Sequence, residues 1–208
     1  AEQEMGGLIW DGINTKPEDV EKYGPSKNIA NTAMIFHGGK FLALQEGARP
    51  FELKLPELDP VGEVDFDGRL RHAFSAHPKI DPRTGELISY GYSVTDAPYC
   101  AVSLINREGE LVHTTDVEIP KPVMMHDCAI TENYTVIMDL PCVFDFERMA
   151  AGKSILYFQP ENGSRFGLLA RGADGDKIRW FEVESCYCYH TVNASEEGDE
   201  VVVEGCRS

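Results

Sequence analysis

Three histidines stand in contexts unlike ordinary surface usage: His77 in SAHPK, His126 in MMHDCAITENY and His190 in CYCYHTVNASEE. A neutral imidazole is the commonest protein ligand for a divalent transition metal, and several of them delivered from different strands suit iron, zinc or copper. Pro78 forces the backbone of His77 into an extended conformation and so holds its side chain in a fixed direction at a strand end. His126 closes an apolar approach, Pro-Val-Met-Met, and His190 follows an alternating strand pattern. The competing reading makes each of them a satisfied core or turn histidine, and spacing alone does not choose between the two. A second arrangement also competes, because Cys186, Cys188 and His190 alternate along one strand and project from one face, as a C-x-C-x-H zinc site would. Alternate side chains on a strand lie about 6.5 Å apart, which strains joint ligation of one ion. The alternative there is two thiols filling small core positions.

The elements that must position these groups are strands. AMIFH, KFLALQE, ELISYGYSV, YCAVSLIN, ELVHTTDVEI, YTVIMDLP, SILYFQ, KIRWFEV, CYCYHTV and EVVVEG are short, β-branched or aromatic, and bounded by turn residues. HGGK, DPRTGE, NREGE and GADGDK supply turns that tolerate positive φ or preset a bend, so the chain reads as successive antiparallel hairpins. A hairpin recurs about every 40 to 50 residues, the interval of propeller blades; a partial β-propeller fits this pattern, and a sandwich is the alternative. FERMAAGK interrupts the strands as a short helix, with Asp145 as N-cap and Gly152 just past its end. Residues 1–30, with Pro17 and Pro25, read as an irregular lead-in to a single domain over residues 31–208.

Composition limits the function classes. A net charge of −16 repels phosphate backbones and excludes nucleic acid as an expected partner. The six cysteines lack the dense spacing of a secreted disulfide scaffold, so free thiols in a reducing compartment are expected and secretion is not. No apolar run approaches the roughly 20 residues of a membrane span. The start, AEQEMGG, has neither an initiator Met nor a signal pattern and reads as a cut.

DFDGRLRHAFSAHPKIDPRTGELISYGYS, MMHDCAITENYTVIMDLP, RFGLL and IRWFEVESCYCYHTVNASEEGDEVVV closely resemble consecutive motifs of the carotenoid cleavage dioxygenase family, from about Asn31 to the end. The resemblance implies an all-β fold, part of a seven-bladed propeller with about three to four blades present and a short helical insertion. It implies Fe(2+) on the propeller axis, held by four histidines, three of which are His77, His126 and His190. The fourth lies beyond Ser208, so these residues cannot complete the site. The motif LALQEGARP resembles the one that carries a glutamate hydrogen-bonded to the second ligand, which pairs Glu46 with His126 and would fix that ring's tautomer. Glu132, Glu196 and Glu197 lie in motifs but read as structural or solvated.

The implied reaction inserts both atoms of O2 across one double bond of a conjugated carotenoid or apocarotenoid, giving two carbonyl products. Candidates for lining the substrate tunnel are Phe74, Phe144 and Tyr189, with Tyr90, Tyr92, Phe146 and Tyr187 behind them; core packing is the competing role for each. A membrane-dissolved substrate implies peripheral membrane contact, for which PCVFDFERMAAGK offers Val143, Phe144, Phe146 and Met149. The resemblance places the enzyme in a plastid or the cytoplasm. Two rivals remain: an isomerase on the same four-histidine iron, and a non-catalytic propeller serving as an interaction platform. Two departures from the family pattern stand near ligands: Cys128 follows His-Asp where Phe is usual, and CYCY replaces bulkier residues.

Overall fold

The computed structural model describes residues 28–208; of the irregular lead-in expected over 1–30, residues 1–27 lie outside that range and 28–30 form no regular element. The described chain folds into consecutive antiparallel sheets. The first contains β1 (Ala33–His37), β2 (Lys40–Leu44), β3 (Phe51–Lys54) and β4 (Asp59–Glu63) in sequence order. The second contains β5 (Lys79–Ile80), β6 (Leu87–Tyr92), β7 (Cys100–Ile105) and β8 (Leu111–Val117), again in order. The third begins with β9 (Ala129–Ile130) and β10 (Tyr134–Asp139) and is then interrupted by an excursion. That excursion is β11 (Cys142–Phe144), the helix α1 (Phe146–Ala150) and β12 (Leu156–Phe158), after which β13 (Ser164–Ala170) and β14 (Arg179–Val183) complete the sheet. A final hairpin, β15 (Cys188–Glu197) with β16 (Glu200–Arg207), forms a two-stranded sheet. Three four-stranded meanders and one further hairpin agree with a partial propeller of three to four blades and exclude the sandwich.

The expected turns close the hairpins. Gly38 and Gly39 take φ of +55° and +78° between His37 and Lys40, which pair directly. Gly38 has a second reason to lack a side chain, since a Cβ there would fall 2.4 Å from the Cα of Gly109 in the turn between β7 and β8. The helix begins as expected: Asp145 accepts a hydrogen bond from the Arg148 amide at 2.9 Å, and Gly152 follows the last turn with φ +73°.

Burial follows from stacking one sheet on the next. The inner strands β6 and β10 are buried along almost their whole length, whereas β14 is almost wholly exposed. A strand covered on both faces is mostly apolar, as LISYGY and YTVIMD are; of their buried polar members, Asp139 is paired with Arg165 at 2.7 Å. Three seams result. Leu44, Phe74, Leu87 and Ile105 fill the one between the first and second sheets. Tyr90, Val117, Met125 and Ile137 fill the next, and Met138, Leu140, Cys186 and Cys188 fill the seam toward the final hairpin. The structure assigns Phe74 to the first of these seams: it is fully buried, with its ring 6.0 Å from that of Phe66, so it is a core residue and not part of a tunnel wall.

Candidate metal centre

His77 stands two residues before β5, His126 three residues before β9, and His190 is the third residue of β15. Each therefore projects from the start of the first strand of successive sheets. The His77 segment lies across the second sheet, with the Ser75 amide donating to the Tyr90 carbonyl at 2.8 Å and the Phe74 amide to the Ala48 carbonyl at 3.0 Å. Gly91 makes this approach possible, because a Cβ there would sit 1.7 Å from the Ala73 carbonyl oxygen. The His126 segment is held from both sides. Tyr90 donates its hydroxyl to the Met125 carbonyl at 2.9 Å, and Tyr187 donates to the Met124 carbonyl at 3.1 Å. These two tyrosines anchor backbone rather than line a channel. His190 is turned by register shifts in β15 on both sides of Thr191, the kind of irregularity that re-aims a strand side chain.

The three rings converge. Their centroids are 4.7 Å apart for His77 and His126, 5.0 Å for His77 and His190, and 4.9 Å for His126 and His190. One nitrogen from each lies within 4.8 Å of the other two, making this the group suited to hold a metal among the described residues. Nε2 of His77 and Nδ1 of His126 are buried without a hydrogen-bond partner, and so is Oε1 of Glu46. Buried polar atoms without partners are costly; the convergence of the three rings and the unpartnered Nε2 of His77 fit a metal ion, while Nδ1 of His126 faces Glu46.

Glu46 sits between two of the rings, its Oε1 3.5 Å from Nδ1 of His126 and 3.8 Å from Nε2 of His77. Tyr92 donates its hydroxyl to the other carboxylate oxygen at 3.2 Å. Burial raises the Glu46 carboxyl to about 7; the Tyr92 hydrogen bond opposes this, and the charge of Asp127 adds to it. His77 and His126 are both held below the ordinary imidazole range, first by burial and then by neighbouring imidazoles. The neutral form favoured there is the one that ligates metals.

Tyr189 is half exposed, and its ring meets His126 edge-on at 5.8 Å and Tyr187 at 4.7 Å. Phe144 is half-buried against Tyr92, with centroids 6.3 Å apart. Tyr189 therefore stands against an imidazole, and Phe144 packs on the tyrosine that holds Glu46, unlike Phe74. The C-x-C-x-H zinc arrangement does not form: Cys186 and Cys188 are buried in the last seam, and the Cys188 thiol donates to the His190 carbonyl at 3.2 Å. Glu132 and Glu196 serve as braces, the first to Arg83 and the second to Asn133. Sequence reasoning passed over Tyr92 as a partner for Glu46; a tyrosine at the end of a buried strand, needing an acceptor for its hydroxyl, was the available signal.

The family model for retinal pigment epithelial membrane protein matches residues 1–208. A carotenoid 9,10(9′,10′)-cleavage dioxygenase 1 of Pisum sativum is 46% identical over 183 residues, covering 86% of this chain and 34% of that protein. An isoeugenol monooxygenase of Pseudomonas putida is 34% identical over 194 residues, covering 92% of this chain and 41% of that protein. The crystal structure of a lignostilbene dioxygenase of Pseudomonas brassicacearum superposes with a TM-score of 0.77 at 34% identity, over 88% of this chain and 39% of that one. The chain thus spans about a third of the length of the first of these relatives.

Proposed function

Because the chain belongs to the retinal pigment epithelial membrane protein family, we propose that it supplies three of four imidazole ligands to an Fe(2+) centre in a carotenoid or apocarotenoid cleavage dioxygenase. The observation that carries this reading is the convergence of His77, His126 and His190, with ring centroids 4.7 to 5.0 Å apart, at the starts of successive sheets. Identity of 46% to a carotenoid-cleaving relative supports the substrate class.

When bound, Fe(2+) supplies the redox centre at which O2 is activated. The residues' own work is positional and electrostatic. The carboxylate of Glu46, fixed by Tyr92, faces Nδ1 of His126, and a proton held there leaves Nε2 unprotonated as the ligating nitrogen. The low basicity of His77 and His126 keeps both rings neutral at physiological pH. Tyr189 and Phe144 present aromatic surface beside the site, suited to holding a flat polyene so that one double bond is selected. In the overall reaction one C=C bond and the O=O bond break and two C=O bonds form, so the alkene itself is the reductant.

The excursion between β10 and β13 is the proposed membrane contact. Phe146 and Met149 are 42% and 51% exposed, as expected of side chains that dip into a lipid surface. Val143 is buried and drops out of the patch proposed from sequence. Replacing Phe146 and Met149 by Ser is expected to reduce liposome binding; unchanged binding refutes this contact. The six thiols, none of them paired, support a plastid or cytoplasmic setting.

The test of the reaction is incubation of the iron-loaded full-length protein with carotenoid and apocarotenoid under labelled O2. One labelled oxygen atom in each of two carbonyl products is expected, and an uncleaved isomer of the polyene that carries no label rejects the dioxygenase in favour of an isomerase. Aryl alkenes of the isoeugenol and stilbene type are the second substrate arm, included because of the 34% identities to enzymes named for them.

A further inference from the structure

One buried carboxylate touches all three histidine-bearing segments. Oδ1 of Asp127 lies 2.7 Å from Nζ of Lys79. Oδ2 accepts from both the amide and the hydroxyl of Thr191, each at 2.9 Å. Lys79 is the second residue after His77, Asp127 directly follows His126, and Thr191 directly follows His190. The Thr191 hydroxyl also lies 3.0 Å from the Cys128 carbonyl, so its single proton is shared between two acceptors on the His126 segment.

The placement is costly unless it has a purpose. Asp127 is 2% exposed, and a carboxylate that deep is tolerated only when paired and hydrogen-bonded. Its partners come from the second sheet and from the final hairpin, so they tie together neighbours on both sides of the third sheet. Thr191 is also the residue bracketed by the two register shifts of β15, and its amide is directed at Asp127. The irregularity that turns His190 and the bond that holds Thr191 are therefore one feature.

We infer that Asp127 is a positioning residue: by joining the segments of His77, His126 and His190 through one carboxylate, it sets the mutual orientation of the three imidazoles. This inference rests on the metal-centre reading above. Asp81 provides a contrast within the same molecule. It is 3% exposed and paired with Arg171 at 2.6 Å, yet it lies past β5 and joins the second sheet to the third without touching the His126 or His190 segments. Asp81 braces the sheets alone.

The test loads the full-length protein with Co(II), whose visible absorption reports ligand geometry, and measures affinity, spectrum and urea unfolding for wild type, Asp127→Asn, Thr191→Val and Asp81→Asn. Asn at 127 still accepts from Thr191 but loses the ion pair with Lys79. It is expected to weaken Co(II) binding about 10- to 100-fold, the range for residues that orient metal ligands, and to shift the absorption bands. Thr191→Val is expected to move both readouts in the same direction by a smaller factor. Asp81→Asn is expected to lower stability while keeping the wild-type spectrum and affinity. Asp127→Asn with wild-type spectrum and affinity overturns the inference. If Asp127→Asn does not fold, Thr191→Val against Asp81→Asn decides, and an unaltered spectrum in Thr191→Val is again fatal. A wild type that binds no Co(II) rejects the metal centre itself, an outcome distinct from a wild type that binds and variants that match it.

Discussion

At the scale of single residues, the site depends on groups that hold other groups. Glu46→Gln replaces the carboxyl that faces His126 by an amide and is expected to lower metal affinity about tenfold, with Tyr92→Phe causing a smaller loss, since it removes only the donor that steadies the carboxyl. Metal titration of the two variants checks the order. Asp81 yields a pH prediction of definite sign. The Arg83 amide and then the Arg171 guanidinium hold its carboxyl below the ordinary value of 3.8, with burial opposing them. The folded state therefore binds this proton less readily than the unfolded state, so the stabilisation is complete above the unfolded pKa and is lost as pH falls through the folded one. Loss of a charged hydrogen bond of this type costs about 1.5–3 kcal/mol. The stability gap between wild type and Asp81→Asn in urea unfolding should accordingly stay constant above about pH 5 and close in stronger acid. A gap that persists undiminished in acid contradicts the assignment.

At the scale of elements, the His77 segment depends on β6 having no side chain at Gly91. Gly91→Ala forces a methyl against the Ala73 carbonyl and the His72 ring. It is expected to cost about 1–3 kcal/mol, as overpacking does, and to weaken metal binding by lifting the strand lead that carries His77. Denaturant unfolding together with metal titration measures both. The same region shows what sequence reasoning can and cannot reach. β6, β7 and β10 were legible because their residues are branched or aromatic, and the HGGK turn because two glycines meet its positive φ. β13 was not legible as a strand, although it sits between β10 and β14: SRFGLLA has no β-branched residue, and Gly167 lies at its centre, where a Cβ would strike Ile178 at 2.4 Å. β3 and β4 were also missed, since FELK carries charge and DPVGE charge and proline, and β3 gains its pairing from β2 and β4 from β3. From residue types and spacing the imidazole cluster was visible only as three unusual contexts, because nothing local records that separate strand starts meet; the family resemblance was what joined them. The tie through Asp127 was invisible for the same reason: each of its partners looks like an ordinary polar residue next to a histidine.

At the scale of the whole molecule, the proposed function has the 208 residues contribute three imidazoles to a centre for which the family resemblance implies four. Expressed alone, this stretch is expected to give no labelled carbonyl product from carotenoid and to hold Co(II) more weakly than the full-length protein. Turnover by the stretch alone contradicts the need for a fourth ligand. Met34 and Phe36 are exposed on β1, and Val192 on β15.

Each histidine leaves the backbone where a sheet begins, and this has a consequence for how such a site can vary. The angles between the three imidazoles combine the rotation that carries one sheet onto the next, fixed by packed seams, with the tie through Asp127 that joins the three strand starts, and neither depends on the turns at the rim. Turns at the rim, and the excursion that holds α1, can lengthen, shorten or change polarity while the hub keeps its shape. The membrane contact proposed for that excursion is thereby separable from the geometry of the three imidazoles, whereas Tyr189, next to His190 and against His126, is not.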